Sequence, residues 1–173
     1  DDLVTGVQTC ALPIFAIPDR VRFSSDFSAA RSADVLVLAI PMVHLATALP
    51  ALAPQWPSEV PVVSVVKGIE QGSFRTPSEV VADVVGAHRF VALTGPSHAE
   101  ELARDLPASV TAASNEPGLA EATQRWFAGE RFRVYTTTDL RGAELAGALK
   151  NIVAIAADRK STRLNSSHQI ISY

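Results

Sequence analysis

Val35-Leu36-Val37-Leu38-Ala39-Ile40-Pro41 is the stretch on which the fold turns. Six consecutive apolar residues, half of them β-branched, leave no polar face. Such a run reads as a strand buried on both sides within a parallel sheet. Pro41 ends it, because the residue before a proline is held extended and proline has no N–H for a ladder. The pattern recurs at 60–66, stopped by Lys67-Gly68, and at Phe90–Thr94, followed by Gly95-Pro96-Ser97. Helix-period segments lie between these runs, at 43–52 and at Pro77–Val85, the latter with proline in its first turn and Gly86 at its end. Ser97 and Glu100 fit a capping box opening a helix through Arg104. A strand at 109–113, a helix at Pro117–Phe127 with Trp126 and Phe127 on its buried side, a strand at 131–136 and a long helix at 139–157 complete the reading. Alternating strand and helix predicts an α/β protein with a doubly wound sheet. Such sheets bind ligands at the carboxyl ends of their strands.

Composition narrows the function classes. The 173 residues carry 15 Lys and Arg against 18 Asp and Glu, a net charge of −3, with 47% apolar and 19% charged residues. That balance is globular, and it argues against nucleic acid or an anionic membrane as partner. A single cysteine, Cys10, excludes an internal disulfide framework and a cysteine zinc cage, and no metal ligand set is expected. No apolar stretch approaches the ~18–20 residues of a membrane span. A cytoplasmic domain, or one domain and part of a second, is expected. Of the basic residues, 12 are Arg and three are Lys: Lys67, Lys150 and Lys160.

Both ends differ from the body. Residues 1–14 show no helix or strand period, and residues 159–173 turn abruptly polar. Each resembles translated sequencing-adapter sequence, so native sequence is expected from about Phe15 to about Asp158.

Three places carry chemistry. Lys67 follows a strand and precedes Gly68, where it projects into the ligand crevice or into solvent. Gly95-Pro96-Ser97 leads into a helix N-terminus, whose free N–H groups suit a phosphate or carboxylate; otherwise Ser97 is simply a cap. Lys150 lies in a helix rich in small residues, with Ala143, Gly147 and Ala154 on its face. Two glycines, Gly142 and Gly147, each cost on the order of 1 kcal/mol in a helix, which predicts close approach of another backbone or a ligand. An amine there either snorkels or faces a cavity, where partial desolvation would suit acid–base work. Asn151 adds a neutral donor and acceptor. Other matches fail on context: Ser64-x-x-Lys67 lies on a strand, and His98-x-Glu100 lacks the cysteines of a zinc deaminase. The nine glycines include no G-x-G, so the phosphate turn of a complete dinucleotide-binding domain is missing.

V-K-G-I-E at 66–70, L-T-G-P-S-H-A-E-E at 93–101, F-R-V-Y-T at 132–136 and E-L-A-G-A-L-K-N-I-V-A-I-A-A at 144–157 together resemble the NAD(P)-dependent glycerol-3-phosphate dehydrogenase family, its bacterial branch especially. The resemblance implies a partial Rossmann-like sheet over 15–137, and at 138–158 the first long helix of an all-helical substrate domain. It implies reversible hydride transfer between NADH or NADPH and dihydroxyacetone phosphate, giving sn-glycerol 3-phosphate for phospholipid synthesis. It also implies a homodimer of the full-length enzyme. Carried over, Lys150 is the catalytic proton acceptor in alcohol oxidation and touches substrate. Lys67 contacts both substrate and cofactor, Gly95 and Ser97 bind substrate, Ala99 contacts the cofactor, and Asn151 is a further polar substrate contact. His98 stands where the family more often has Phe, and Asp158 replaces a usual glycine. The chain reads as an internal fragment, inactive alone. Two alternatives stay open: another β-hydroxyacid or polyol-phosphate dehydrogenase, and a non-catalytic Rossmann-like binding module.

Overall fold

A computed structural model describes residues 20–168 apart from 87 and 88. The segment 1–14, Cys10 included, lies outside the described residues. Five strands form one sheet: β1 (Leu36–Leu38), β2 (Val62–Ser64), β3 (Phe90–Thr94), β4 (Ala108–Ala113) and β5 (Phe132–Thr137), in the spatial order of the chain. The helices are α1 (Met42–Leu52), α2 (Pro77–Val85), α3 (Ala99–Ala103), α4 (Pro117–Phe127) and α5 (Leu140–His168), with short 3-10 turns at Phe27–Ser32 and Ala53–Gln55.

The first three strands run parallel, joined through α1 and α2. β4 then reverses, pairing antiparallel to β3 with Thr94 opposite Thr111, and β5 runs parallel to β4. The sheet is therefore mixed, within the doubly wound α/β architecture expected. The cause of the reversal is the connection at 95–107, whose helix α3 has five residues and none buried. A helix that short cannot cover the sheet face, as a parallel crossover requires, so the chain folds straight back.

Reversal moves the next helix to the other side. Right-handed crossovers place α1 and α2 on one face; with the strands inverted, the same handedness sends α4 to the opposite face. The core splits accordingly. On the first face Leu38, Val62, Phe90, Ala92 and Ala113 pack with Leu45 and Leu49 of α1, Val80 and Val81 of α2 and Leu140 of α5. On the second, Val63, Val91, Leu93, Val110, Ala112 and Val134 pack with Leu119 of α4. Each fully buried Val or Leu contributes ~1.5–3 kcal/mol relative to exposure.

The expected elements recur with four corrections. β1 is three residues long and Val37 is 51% exposed, because α4 does not extend over this edge strand. Trp126 is likewise half exposed, and only Phe127 packs against the second core. Ser97 does not cap α3, which starts at Ala99 with His98 as N-cap and no side-chain bond. The capping box forms instead at Thr76 and Glu79, where Glu79 Oε2 accepts from the Thr76 N–H at 2.8 Å. Finally, α5 continues past 157 to His168, since no glycine or proline interrupts the chain after Gly147. Among the described residues no helix is long and apolar enough to cross a membrane.

Candidate active site

Because α4 left for the second face, the first face above β3–β5 lies open, and α5 returns across it. Between helix and sheet is a cavity of about 600 Å³, lined by Thr94, Gly95, Thr111, Thr137, Gly147 and Lys150 among others. It is the product of the strand reversal.

Two lysines reach this end of the sheet by different routes. Lys67 follows β2, and Gly68 beside it sits at φ +118°, a backbone conformation that favours glycine. The chain turns there and Lys67 Nζ reaches across to β3, donating to the Gly95 carbonyl oxygen and to Ser97 Oγ, each at 3.1 Å. The Ser97 hydroxyl is thus committed to the lysine and to its own turn, where it donates to the Gly95 oxygen at 3.4 Å, rather than to a helix cap. The helix at the expected anion site, α3, is five residues long and so offers only a short dipole there. Partial burial, and then the like charge of Lys150, hold the Lys67 ammonium below the ordinary lysine range.

Lys150 lines the cavity from α5. Its position is set by the seat of the helix. Leu140 is buried in the first core and Ala143 packs against it. Asp139 caps the helix, its Oδ1 accepting from the Gly142 N–H at 2.8 Å. Gly147 lies over Thr94 so closely that a Cβ there would fall well inside van der Waals contact of Thr94 Oγ1. The close approach expected from the two glycines therefore exists at Gly147, against a side chain rather than a backbone. At Gly142 the crowding comes from the Asp139 cap itself. Gly95 is constrained by backbone: a Cβ would lie 2.7 Å from the Ser109 carbonyl oxygen and 2.8 Å from Val110 Cα.

Of the residues expected at the site, Lys67, Gly95, Ser97 and Lys150 come together. Ala99 is exposed at the first position of α3, two residues beyond Ser97. Asn151 follows Lys150 in α5, and its side chain lies outside the described residues. Sequence reasoning missed Thr94, Thr111, Thr137 and Asp139. Asp139 carried a readable signal, an Asp just before a helix. The three threonines did not, because they come from β3, β4 and the end of β5, and only the folded sheet, with Thr94 opposite Thr111, brings them to one cavity. Among the described residues no group of His, Cys, Asp and Glu is placed to hold a metal.

Comparison with known proteins gives one answer. The family described as NAD-dependent glycerol-3-phosphate dehydrogenase N-terminus matches residues 5–120. A glycerol-3-phosphate dehydrogenase [NAD(P)+] of Brucella ovis is 42% identical over 149 residues, covering 86% of this chain and 46% of the relative. One from Lactobacillus delbrueckii subsp. bulgaricus is 37% identical over 164 residues, covering 91% and 49%. The crystal structure of the Coxiella burnetii glycerol-3-phosphate dehydrogenase superposes with a TM-score of 0.76 at 32% identity, covering 84% of this chain and 45% of that one. The chain spans about half the length of the curated relatives it matches.

Proposed function

The chain belongs to the NAD-dependent glycerol-3-phosphate dehydrogenase family, and from that premise we propose that it is the portion of such an enzyme that carries the proton-transferring lysine and part of the substrate and cofactor sites. The observation that carries this reading is the convergence of Lys67 and Lys150 on one crevice at the carboxyl ends of β2 and β3. Two ammonium groups at one crevice suit an anionic ligand, and a phosphorylated three-carbon ketone supplies one.

In this reading Lys67 binds the substrate from the β2 side, with Gly95 and Ser97 shaping the floor it leans on. Lys150 Nζ takes the C2 hydroxyl proton when the alcohol is oxidised and returns it when the ketone is reduced. Asn151 is a further substrate contact. Lys67 and Ala99, both beside strand carboxyl ends, face the cofactor, which fits the place where α/β sheets hold nucleotides. The nicotinamide ring, when bound, accepts or supplies the hydride. The reaction converts dihydroxyacetone phosphate, NADH or NADPH and a proton to sn-glycerol 3-phosphate and the oxidised cofactor. It would serve phospholipid synthesis in the cytoplasm, in an enzyme active as a homodimer. Residues 15–137 are the distal part of its cofactor domain and 138–158 the start of its helical substrate domain, with foreign sequence at 159–173.

The test uses the purified chain with its lysines labelled as ¹³C-dimethylamines. Titration with dihydroxyacetone phosphate is expected to move the Lys67 and Lys150 signals together and saturably, while unphosphorylated dihydroxyacetone moves neither. Identical responses to both, or none to either, would overturn the reading.

A further inference from the structure

Glu144 is 5% exposed, yet the proposed chemistry leaves it without a role. Its two oxygens are both engaged across 66 residues of chain: Oε1 accepts from the Ser78 N–H at 2.8 Å and Oε2 from the Ser78 hydroxyl at 2.6 Å. Ser78 stands in the first turn of α2, where free N–H groups and the helix dipole both favour a carboxylate. Breaking such a contact leaves a buried charge unpartnered, so the pair is held firmly. A second contact at this junction, the ion pair of Arg141 with Glu79 at 3.7 Å, is exposed and correspondingly weak.

Geometry gives the contact its meaning. Glu144 and Lys150 are six residues apart on α5, about 9 Å along the axis and about 120° around it. Glu144 therefore grips the α2 flank while Lys150 faces the cavity. Apolar packing at Leu140 and Ala143 resists separation of helix and sheet, but it is non-directional and resists rotation poorly. With side chains reaching ~5–6 Å from the axis, a roll of about 20° displaces their tips by about 2 Å. That is enough to take an amine out of hydrogen-bonding reach. Resting on the assignment of Lys150 above, we propose that Glu144 is a positioning residue whose two-point contact with Ser78 fixes the roll of α5 and so sets the separation of Lys150 from Lys67.

The two lysines measure that separation themselves, since Lys67 senses the charge of Lys150. The full chain has three lysines, so ¹³C-dimethyl labelling gives three side-chain resonances, assigned with single Lys→Arg variants. In Glu144→Ala the Lys67 resonance is expected to titrate at higher pH than in the parent, with the Lys150 signal displaced. Glu144→Gln can still accept from the Ser78 N–H and engage the hydroxyl, so it should leave both close to the parent. Ser78→Ala, which keeps one of the two bonds, should give a smaller shift in the same direction, and remains informative if Glu144→Ala does not fold. Thr123→Ala controls for general loosening: Thr123 is buried on α4 and bonds only within its helix, so both lysine signals should stay put. Unchanged lysine titrations in Glu144→Ala or Ser78→Ala overturn the proposal. So does a Glu144→Gln shift as large as that of Glu144→Ala, which would mean the carboxylate acts by its charge. No substrate enters the measurement. A chain whose lysine pair follows Glu144 but ignores dihydroxyacetone phosphate would therefore sink the functional reading alone.

Discussion

Lys67 and Lys150 arrive at the same crevice with opposite kinds of support. Lys67 is located by its own ammonium, which holds the Gly95 carbonyl and Ser97 Oγ from the end of a short strand. No hydrogen bond to Lys150 Nζ occurs among the described residues; it is located by its backbone, a helix pinned at Asp139, Leu140, Glu144 and Gly147. A side chain already bonded is suited to binding, because its geometry exists before ligand arrives. An amine with free donors on a fixed backbone is suited to receiving and returning a proton, because no described residue holds it in a hydrogen bond.

That contrast can be broken in several places. The largest effect is expected from Lys150→Ala in the full-length enzyme, where turnover should fall about 10²- to 10⁴-fold, the usual worth of a positioned acid–base group. Lys150→Arg should not restore it, since guanidinium does not surrender its proton; steady-state kinetics decide. Lys67→Ala should act on binding, raising KM for dihydroxyacetone phosphate about 10- to 100-fold, the value of a charged hydrogen bond to an anion. A fall in kcat with KM unchanged would contradict the division of labour. Gly147→Ala drives a methyl into Thr94 Oγ1 and should destabilise the chain by about 1–3 kcal/mol in denaturant unfolding. Thr94→Ala in the same chain should recover part of that loss, a coupling that a double-mutant cycle measures. Ser97→Ala should cost less than about 1 kcal/mol, because Lys67 keeps the Gly95 carbonyl.

The smallest effect is on pH. The folded chain holds Lys67 below its unfolded value, so over that window the unfolded state binds more protons. The Lys67 contribution to stability should therefore be fully present above the ordinary lysine pKa of about 10.4 and be lost as pH falls through the lowered value. In Lys67→Gln this slope should be absent from alkaline unfolding curves, and in Lys150→Met it should be shallower.

Much of this was legible in the sequence, for reasons that differ by residue. Pro77–Val85, Phe90–Thr94 and Pro117–Phe127 were readable to the residue because proline, glycine and strand ends punctuate them locally. Lys67 and Lys150 stood out because lysine is scarce and both sit in specific motifs. The reversal at β4 was not legible, since helix α3 looks like any crossover helix until its length is known. The Ser97 capping box failed because a distant lysine claimed the hydroxyl. Glu144 lay inside a motif quoted for its lysine, and its partner is 66 residues away. Local chemistry can be read along the chain, whereas long-range pairing needs the fold.

The spatial order β1-β2-β3-β4-β5 repeats the order of synthesis. Each new strand finds a neighbour already made, so an open ladder waits only for the next strand in the chain. The loops to be closed are those between consecutive strands, which keeps their entropic cost low. The sheet can grow one edge at a time on the ribosome, and α5, which follows β5, meets the β3–β5 surface already formed. Lys150 is thus set in place after the floor beneath it has formed.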